Sequence, residues 1–125
     1  MESKAAIDRL SALALPARLD VFRLLVRAGP HGIAAGEIAA ELGQAPNTLS
    51  AQLNVLSAAG LILGTRDGRS IRYAAQPQAL SELIVYLMED CCGGRPEVCA
   101  PVQAAAARAD CCPPAKPKAR RPVRA

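Results

Sequence analysis

The chain has 125 residues, a formal net charge of +4 and five cysteines, with no tryptophan, one phenylalanine and two tyrosines. That length suits one domain of ordinary size plus a tail, and the alanine- and leucine-rich composition favours helices over sheets. The longest bulky apolar run, residues 83–88, is far short of the roughly 20 residues a membrane span needs, so no membrane partner is expected. Glu2, Lys4, Asp8 and Arg9 interrupt the first residues, which do not read as a secretory leader. The expected location is the cytoplasm, where cysteines persist as thiols. An odd number in two clusters would in any case make a poor disulfide framework.

The charge is unevenly spread. Residues 1–107 carry 9 Lys/Arg against 10 Asp/Glu, whereas residues 108–125 carry 6 against 1, so the basic balance belongs to the C-terminal segment. That segment, RADCCPPAKPKARRPVRA, is proline-rich and has almost nothing apolar to bury. It is expected to be a disordered, extended tail after a domain over residues 1–107.

Within that domain the periodicity is helical almost throughout. Ile7, Leu10 and Ala14 form a short first stripe, and Pro16 suits the first turn of a second helix. The second helix is expected to bury Leu19, Phe22, Leu25 and Val26 and to stop at Gly29 and Pro30. A third, about residues 35–42, ends at Gly43. A fourth opens at Pro46 and runs to about Ala59, with Gly60 as its stop.

The pair EIAAEL and NTLSAQLNVLSAAG, joined by a turn around Gly43, is the sharpest architectural signal. At 100° per residue Leu49, Leu53 and Leu56 fall in one narrow arc, while Gln44, Asn47, Ala51 and Asn54 lie opposite, flanked by Thr48 and Ser50. One face is core; the other is small, polar and uncharged. Asn and Gln can read adenine edges and Ser and Thr can bind phosphate, so this face suits a DNA groove. An ordinary solvated face is the bland alternative. The adjoining stretch favours the groove: LILGTRDGRSIRYAA reads as two strands joined by a turn at Asp67 and Gly68, with Arg66 and Arg69 at the tip and Arg72 on the return strand. A helix-turn-helix with an arginine-tipped hairpin after it is a winged helix.

The last helix, in PQALSELIVYLMEDCC, places Leu80, Leu83, Ile84, Leu87, Met88 and Cys91 at helical spacing, and Val85 and Tyr86 widen its apolar arc. Such breadth predicts packing on a partner as well as on its own domain. A twofold dimer would match a palindromic DNA site. The expected fold is therefore mainly α, a winged helix-turn-helix of about five helices plus a two-stranded wing, assembled as a homodimer.

This order of elements, with TLSAQLNVLSAAGLI in the reading position, resembles the ArsR/SmtB family of metal-responsive winged-helix repressors over about residues 5–99. EDCCGGRPEVC, residues 89–99, is similar to the arsenic-sensing subgroup, which carries a vicinal cysteine pair and a third cysteine after the last helix. The resemblance implies a homodimer joined through its first and last helices, bound to double-stranded operator DNA when empty and released when loaded. The reading helix departs from the family at Gln52, where a His or Arg is common. Asn47, Thr48, Ser50, Gln52 and Asn54 are the expected groove-facing residues, with Arg66 and Arg69 on the wing.

The implied inducer is trivalent arsenic, or antimony, held by Cys91, Cys92 and Cys99. Both ions are soft and accept three thiolates with a lone pair in the fourth direction, whereas zinc usually wants a tetrahedron. Gly93 and Gly94 make a chain reversal towards Cys99 sterically easy. The alternatives are a thiol-oxidation sensor using the same cysteines, a zinc or cadmium sensor, and a thiol-dependent reductase. For the second, the family resemblance implies cysteines in the first helix of the helix-turn-helix or Asp and His on the last helix, whereas EIAAEL has no Cys and LSELIVYLMED no His; for the third there is no cofactor loop or substrate pocket. His31 reads as a surface residue, and Cys111 and Cys112 as incidental tail thiols.

The basic tail should add sequence-independent DNA affinity through counterion release. Truncation after Ala107 is expected to lower the salt slope of DNA binding, measured by titration at several ionic strengths, and to leave site choice and arsenite release intact. Loss of the arsenite response on truncation would instead draw Cys111 and Cys112 into the sensor.

Overall fold

The structure is a computed structural model that describes residues 1–89 and, beyond them, residues 97, 100, 101, 104 and 105, all helical. The described residues fall into two units that divide between Leu83 and Ile84, each described by itself.

In the first unit, α1 (Ser3–Leu13) buries only Ala6 and Ala12. Ile7 and Leu10 of the expected stripe are 58% and 43% exposed. Pro16 takes the first turn of α2 (Pro16–Ala28), whose buried residues are Val21, Phe22 and Leu25. Here the expectation needs correction: Leu19 and Val26 are 41% and 46% exposed. The buried arc is centred nearer Val21 and Leu25, which leaves Leu19 and Val26 about 40° to 60° beyond Phe22 at its outer edge. The sequence offers apolar residues on both flanks of this arc, so periodicity alone selects the wrong flank.

Helix α3 (Ala35–Leu42) buries Ile38 and ends at Gly43, whose left-handed φ of 65° turns the chain. The Gly43 and Gln44 N–H groups both donate to the Ala39 carbonyl, satisfying a helix-end acceptor. Helix α4 (Pro46–Ala58) begins with proline at its first turn and buries Leu49, Leu53 and Leu56, as the spacing predicts. Val21, Leu25, Ile38, Leu49, Leu56 and Leu61 are the largest fully buried side chains, so the core lies where α2, α3 and α4 meet the start of the hairpin.

The sheet has one strand more than expected. β1 (Ile33–Ala34) pairs antiparallel with β3 (Ser70–Ala75), which pairs antiparallel with β2 (Ile62–Asp67), giving the order β1-β3-β2. A two-residue strand is too short to show an alternating pattern. Its pairing is reinforced from outside: the Arg72 guanidinium donates from Nη2 to the Gly32 carbonyl at 2.8 Å and from Nε to the His31 carbonyl at 3.3 Å.

The wing turn is also displaced by one residue from expectation. Asp67 pairs with Ser70, so the two loop residues are Gly68 and Arg69 rather than Asp67 and Gly68. Gly68, at φ 65°, occupies the first central position, where tight hairpins of right-handed twist require a positive φ. Across the strands, Gly64 opposes Tyr73; a Cβ there would lie 2.9 Å from the tyrosine ring, so the glycine makes room for the aromatic side chain.

Helix α5 (Pro77–Met88) begins in the first unit, where Ala79 and Leu83 are buried. Arg9 of α1 anchors it, donating from Nη1 to the Ala79 carbonyl at 2.7 Å and to Glu82 Oε1 at 3.1 Å. Ile84, Val85 and Leu87 belong to the second unit and are 44%, 60% and 44% exposed. Among the described residues no helix is long and apolar enough to cross a membrane.

Gly32 is a point of close approach. It has a φ of +79°, and a Cβ would fall 2.5 Å from the Tyr73 backbone oxygen. Gly32→Ala is expected to cost about 2 to 3 kcal/mol through strain and displacement of β1. Gly36→Ala, in α3 with nothing within 4 Å, should hold or raise stability by about 0.5 to 1 kcal/mol. Thermal melting monitored by circular dichroism checks both.

Candidate nucleic-acid interface

Burial of the three α4 leucines turns a defined set of side chains outward. Asn47, Thr48, Ser50, Ala51 and Asn54 are exposed, and none carries charge. They form the small polar surface anticipated for a groove, on a helix whose preceding turn is closed by Gly43.

Gln52 behaves differently from the four polar residues expected beside it. It is half-buried, and its Oε1 accepts a hydrogen bond from Arg18 Nη1 at 3.2 Å. Its angular position explains this: Gln52 lies about 60° from Leu49 and about 40° from Leu56, beside the buried arc rather than opposite it. That placement was available from the spacing.

Arg18 itself has no counterpart among the residues singled out from sequence. Its Nε donates to the Ala12 carbonyl at 2.6 Å and its Nη2 to the Ser11 carbonyl at 3.2 Å, both near the end of α1. One signal for it exists. A cation in the first turn of α2 opposes the dipole of its own helix, so it is better placed for another; here it serves the carbonyl end of α1, where positive charge is favourable.

On the wing, Arg66 and Arg69 are exposed, with Arg69 inside the two-residue turn and Arg66 opposite Ile71. Arg72, by contrast, is spent on the His31 and Gly32 carbonyls. Beside the wing runs a groove of about 410 Å³ lined by Pro30, His31, Thr65, Arg66, Asp67, Arg72 and Ala74. His31 is exposed, as expected of a surface residue.

Cys91, Cys92, Cys99, Cys111 and Cys112, and the boundary at residue 107, lie outside the described residues. Among the described residues no group of three His, Cys, Asp or Glu side chains is placed to hold a metal ion.

A family described as a helix-turn-helix domain matches residues 13–65, the stretch from the end of α1 into β2. The HTH-type transcriptional regulator NmtR of Mycobacterium tuberculosis is 36% identical over 87 residues, covering 67% of this chain and 70% of that protein. A solved structure described as a possible transcriptional regulator for arsenical resistance is 31% identical, with a TM-score of 0.57 over 64% of this chain and 80% of that one. The homodimeric winged helix-turn-helix DNA-binding domain of a possible ArsR-family regulator from Mycobacterium bovis is 27% identical, with a TM-score of 0.58 over 70% and 80% of the two chains. These relatives are transcriptional regulators rather than enzymes. With α4 presenting a polar face beside an arginine-tipped wing, the chain belongs to the ArsR family of winged-helix, DNA-binding transcriptional regulators.

Proposed function

We propose that this regulator is a homodimeric repressor that binds operator DNA when empty and releases it when trivalent arsenic, or antimony, binds Cys91, Cys92 and Cys99. The observation that carries the reading is the run EDCCGGRPEVC: three thiols within nine residues, directly after α5 and with two glycines between the pair and the third. Three thiolates satisfy a trivalent, lone-pair-bearing soft ion and leave a tetrahedral zinc site incomplete. The arsenical-resistance role attributed to the solved relative is consistent with this chemistry and belongs to that protein.

Assembly as a dimer is supported by the apolar side chains left uncovered on α1 and α5, Ile7 and Leu10 on the first and Ile84, Val85 and Leu87 on the second. It is supported too by the homodimeric state of the Mycobacterium bovis domain. In the proposed complex Asn47, Thr48, Ser50 and Asn54 enter the major groove while Arg66 and Arg69 reach phosphate or the minor groove. Closing the thiolate site pins the chain just beyond α5 and shifts the dimer interface. Reading heads that no longer match half-sites one turn apart, roughly 34 Å, lose affinity.

Binding is measured on a duplex selected from a random library by the wild-type protein. Arg69→Ala is expected to weaken binding to every sequence, and Asn54→Ala to change preference among sequences, by about 1 to 3 kcal/mol at the base it contacts. If neither variant alters binding, the proposed interface is wrong.

The sensor is tested on the same duplex. Arsenite offers three exchangeable positions and phenylarsine oxide only two, so at least one of the three Cys→Ser variants should ignore arsenite yet still release DNA with the aryl compound. A full arsenite response from Cys99→Ser lacking the tail cysteines would overturn the three-thiol site. Release of the wild type by peroxide, with arsenite needing no third thiol, would establish the oxidation sensor instead.

A further inference from the structure

The seam between α1 and α4 is open. A cleft of about 350 Å³ runs along it, lined by Asp8, Ser11, Ala12, Arg18, Val55, Ala58 and Ala59. The wall on the α4 side is small or exposed: Val55 is 39% exposed, and Ala58 and the helix-capping Ala59 are alanines. Interdigitating side chains therefore hold these two helices together poorly at this level.

Arg18 spans the gap. One planar guanidinium spends Nε on Ala12, Nη2 on Ser11 and Nη1 on Gln52, so it reaches the carbonyl end of α1 and a side chain of α4 at once. Its fork is rigid, which makes the three bonds geometrically dependent on one another. A lysine, with one nitrogen on a flexible stem, cannot reproduce it.

We propose that Arg18 and Gln52 act together as a strut that fixes the orientation of α4 relative to α1, so that Gln52 is a positioning residue and not a base reader. The inference rests on α4 being the reading helix. With α1 at the proposed subunit interface, the strut is also a polar link from that interface to the groove-facing helix. Loss of the strut lets α4 rotate or slide against the open seam, which blurs discrimination at every base position together. A residue that read one base would instead change preference at that position alone.

The test uses the full chain and a random duplex library. Each variant's selected sites are sequenced, and affinity is measured for the wild-type selected duplex and for a scrambled duplex of the same composition. Gln52→Ala and Arg18→Lys are each expected to lower the ratio of the two affinities about tenfold, leave the preferred base at each position unchanged, and combine without adding. Gln52→Glu, which still accepts from Arg18, should keep the wild-type ratio within about threefold. A switch of preferred base at one position in Gln52→Ala, with Arg18→Lys unchanged, would make Gln52 a base reader and overturn the proposal; so would full additivity or silence of both variants. Should Arg18→Lys fail to fold by circular dichroism, the pair Gln52→Ala and Gln52→Glu decides, since neither touches the α1 carbonyls. Asn54→Ala serves as control: if it too leaves binding and preference unchanged, the reading-helix assignment fails and the strut with it; if only Asn54→Ala has an effect, the strut alone is refuted.

Discussion

Burial of Leu49, Leu53 and Leu56 is the constraint that sets the rest of the molecule. Each buried leucine contributes about 1.5 to 3 kcal/mol, so the stripe is worth several kcal/mol, a large share of the total stability of a small domain. Turning α4 by a single residue, about 100°, would bring those leucines towards water and the asparagines inward. The helix thus has one acceptable rotation. The groove-facing part of the proposed DNA interface consists of the side chains that this rotation leaves outside, namely Asn47, Thr48, Ser50, Ala51 and Asn54.

Around that apolar centre, arginines do the joining. Arg9 ties α1 to α5, Arg18 ties α1 to α4, and Arg72 ties β3 to the loop before β1; all three donate to backbone carbonyls, and Arg18 reaches α4 through the Gln52 side chain. A guanidinium suits this work because it carries several donors in a fixed fork and a carbonyl oxygen, with two lone pairs, can accept a second bond. The consequence for function is a division among the cations. Arg66 and Arg69 are exposed and available to a polyanion, whereas Arg18 and Arg72 have donors committed to the protein itself. A simple count of basic residues would overstate the hydrogen-bond donors free to meet DNA.

The two ends of the proposed signal are built from different materials. At one end, neutral polar groups face a groove, where hydrogen-bonding pattern matters more than charge. At the other, the cysteine run depends on local chemistry: three soft donors, two glycines and little else. Helix α5 comes before the cysteine run in the chain, and it leaves Ile84, Val85 and Leu87 exposed, a costly arrangement in an isolated chain and a natural one in a dimer.

The helices, the helix-turn-helix pair, the buried leucine face, the presence of a wing and the thiol cluster were all legible in the amino-acid order alone. Each of these is written in a local signal: a 3.6-residue period, a proline or glycine at a helix end, an Asp-Gly pair, or a spacing of donors. Tertiary contacts were needed to choose which flank of α2 goes inward, to bring Ile33 and Ala34 into the sheet, and to set Gln52 against Arg18. Those outcomes depend on partners between 34 and 41 positions away, or on competition between apolar flanks of similar strength. No local window contains the competing term, so local periodicity could name the elements but could not choose among the ways they meet.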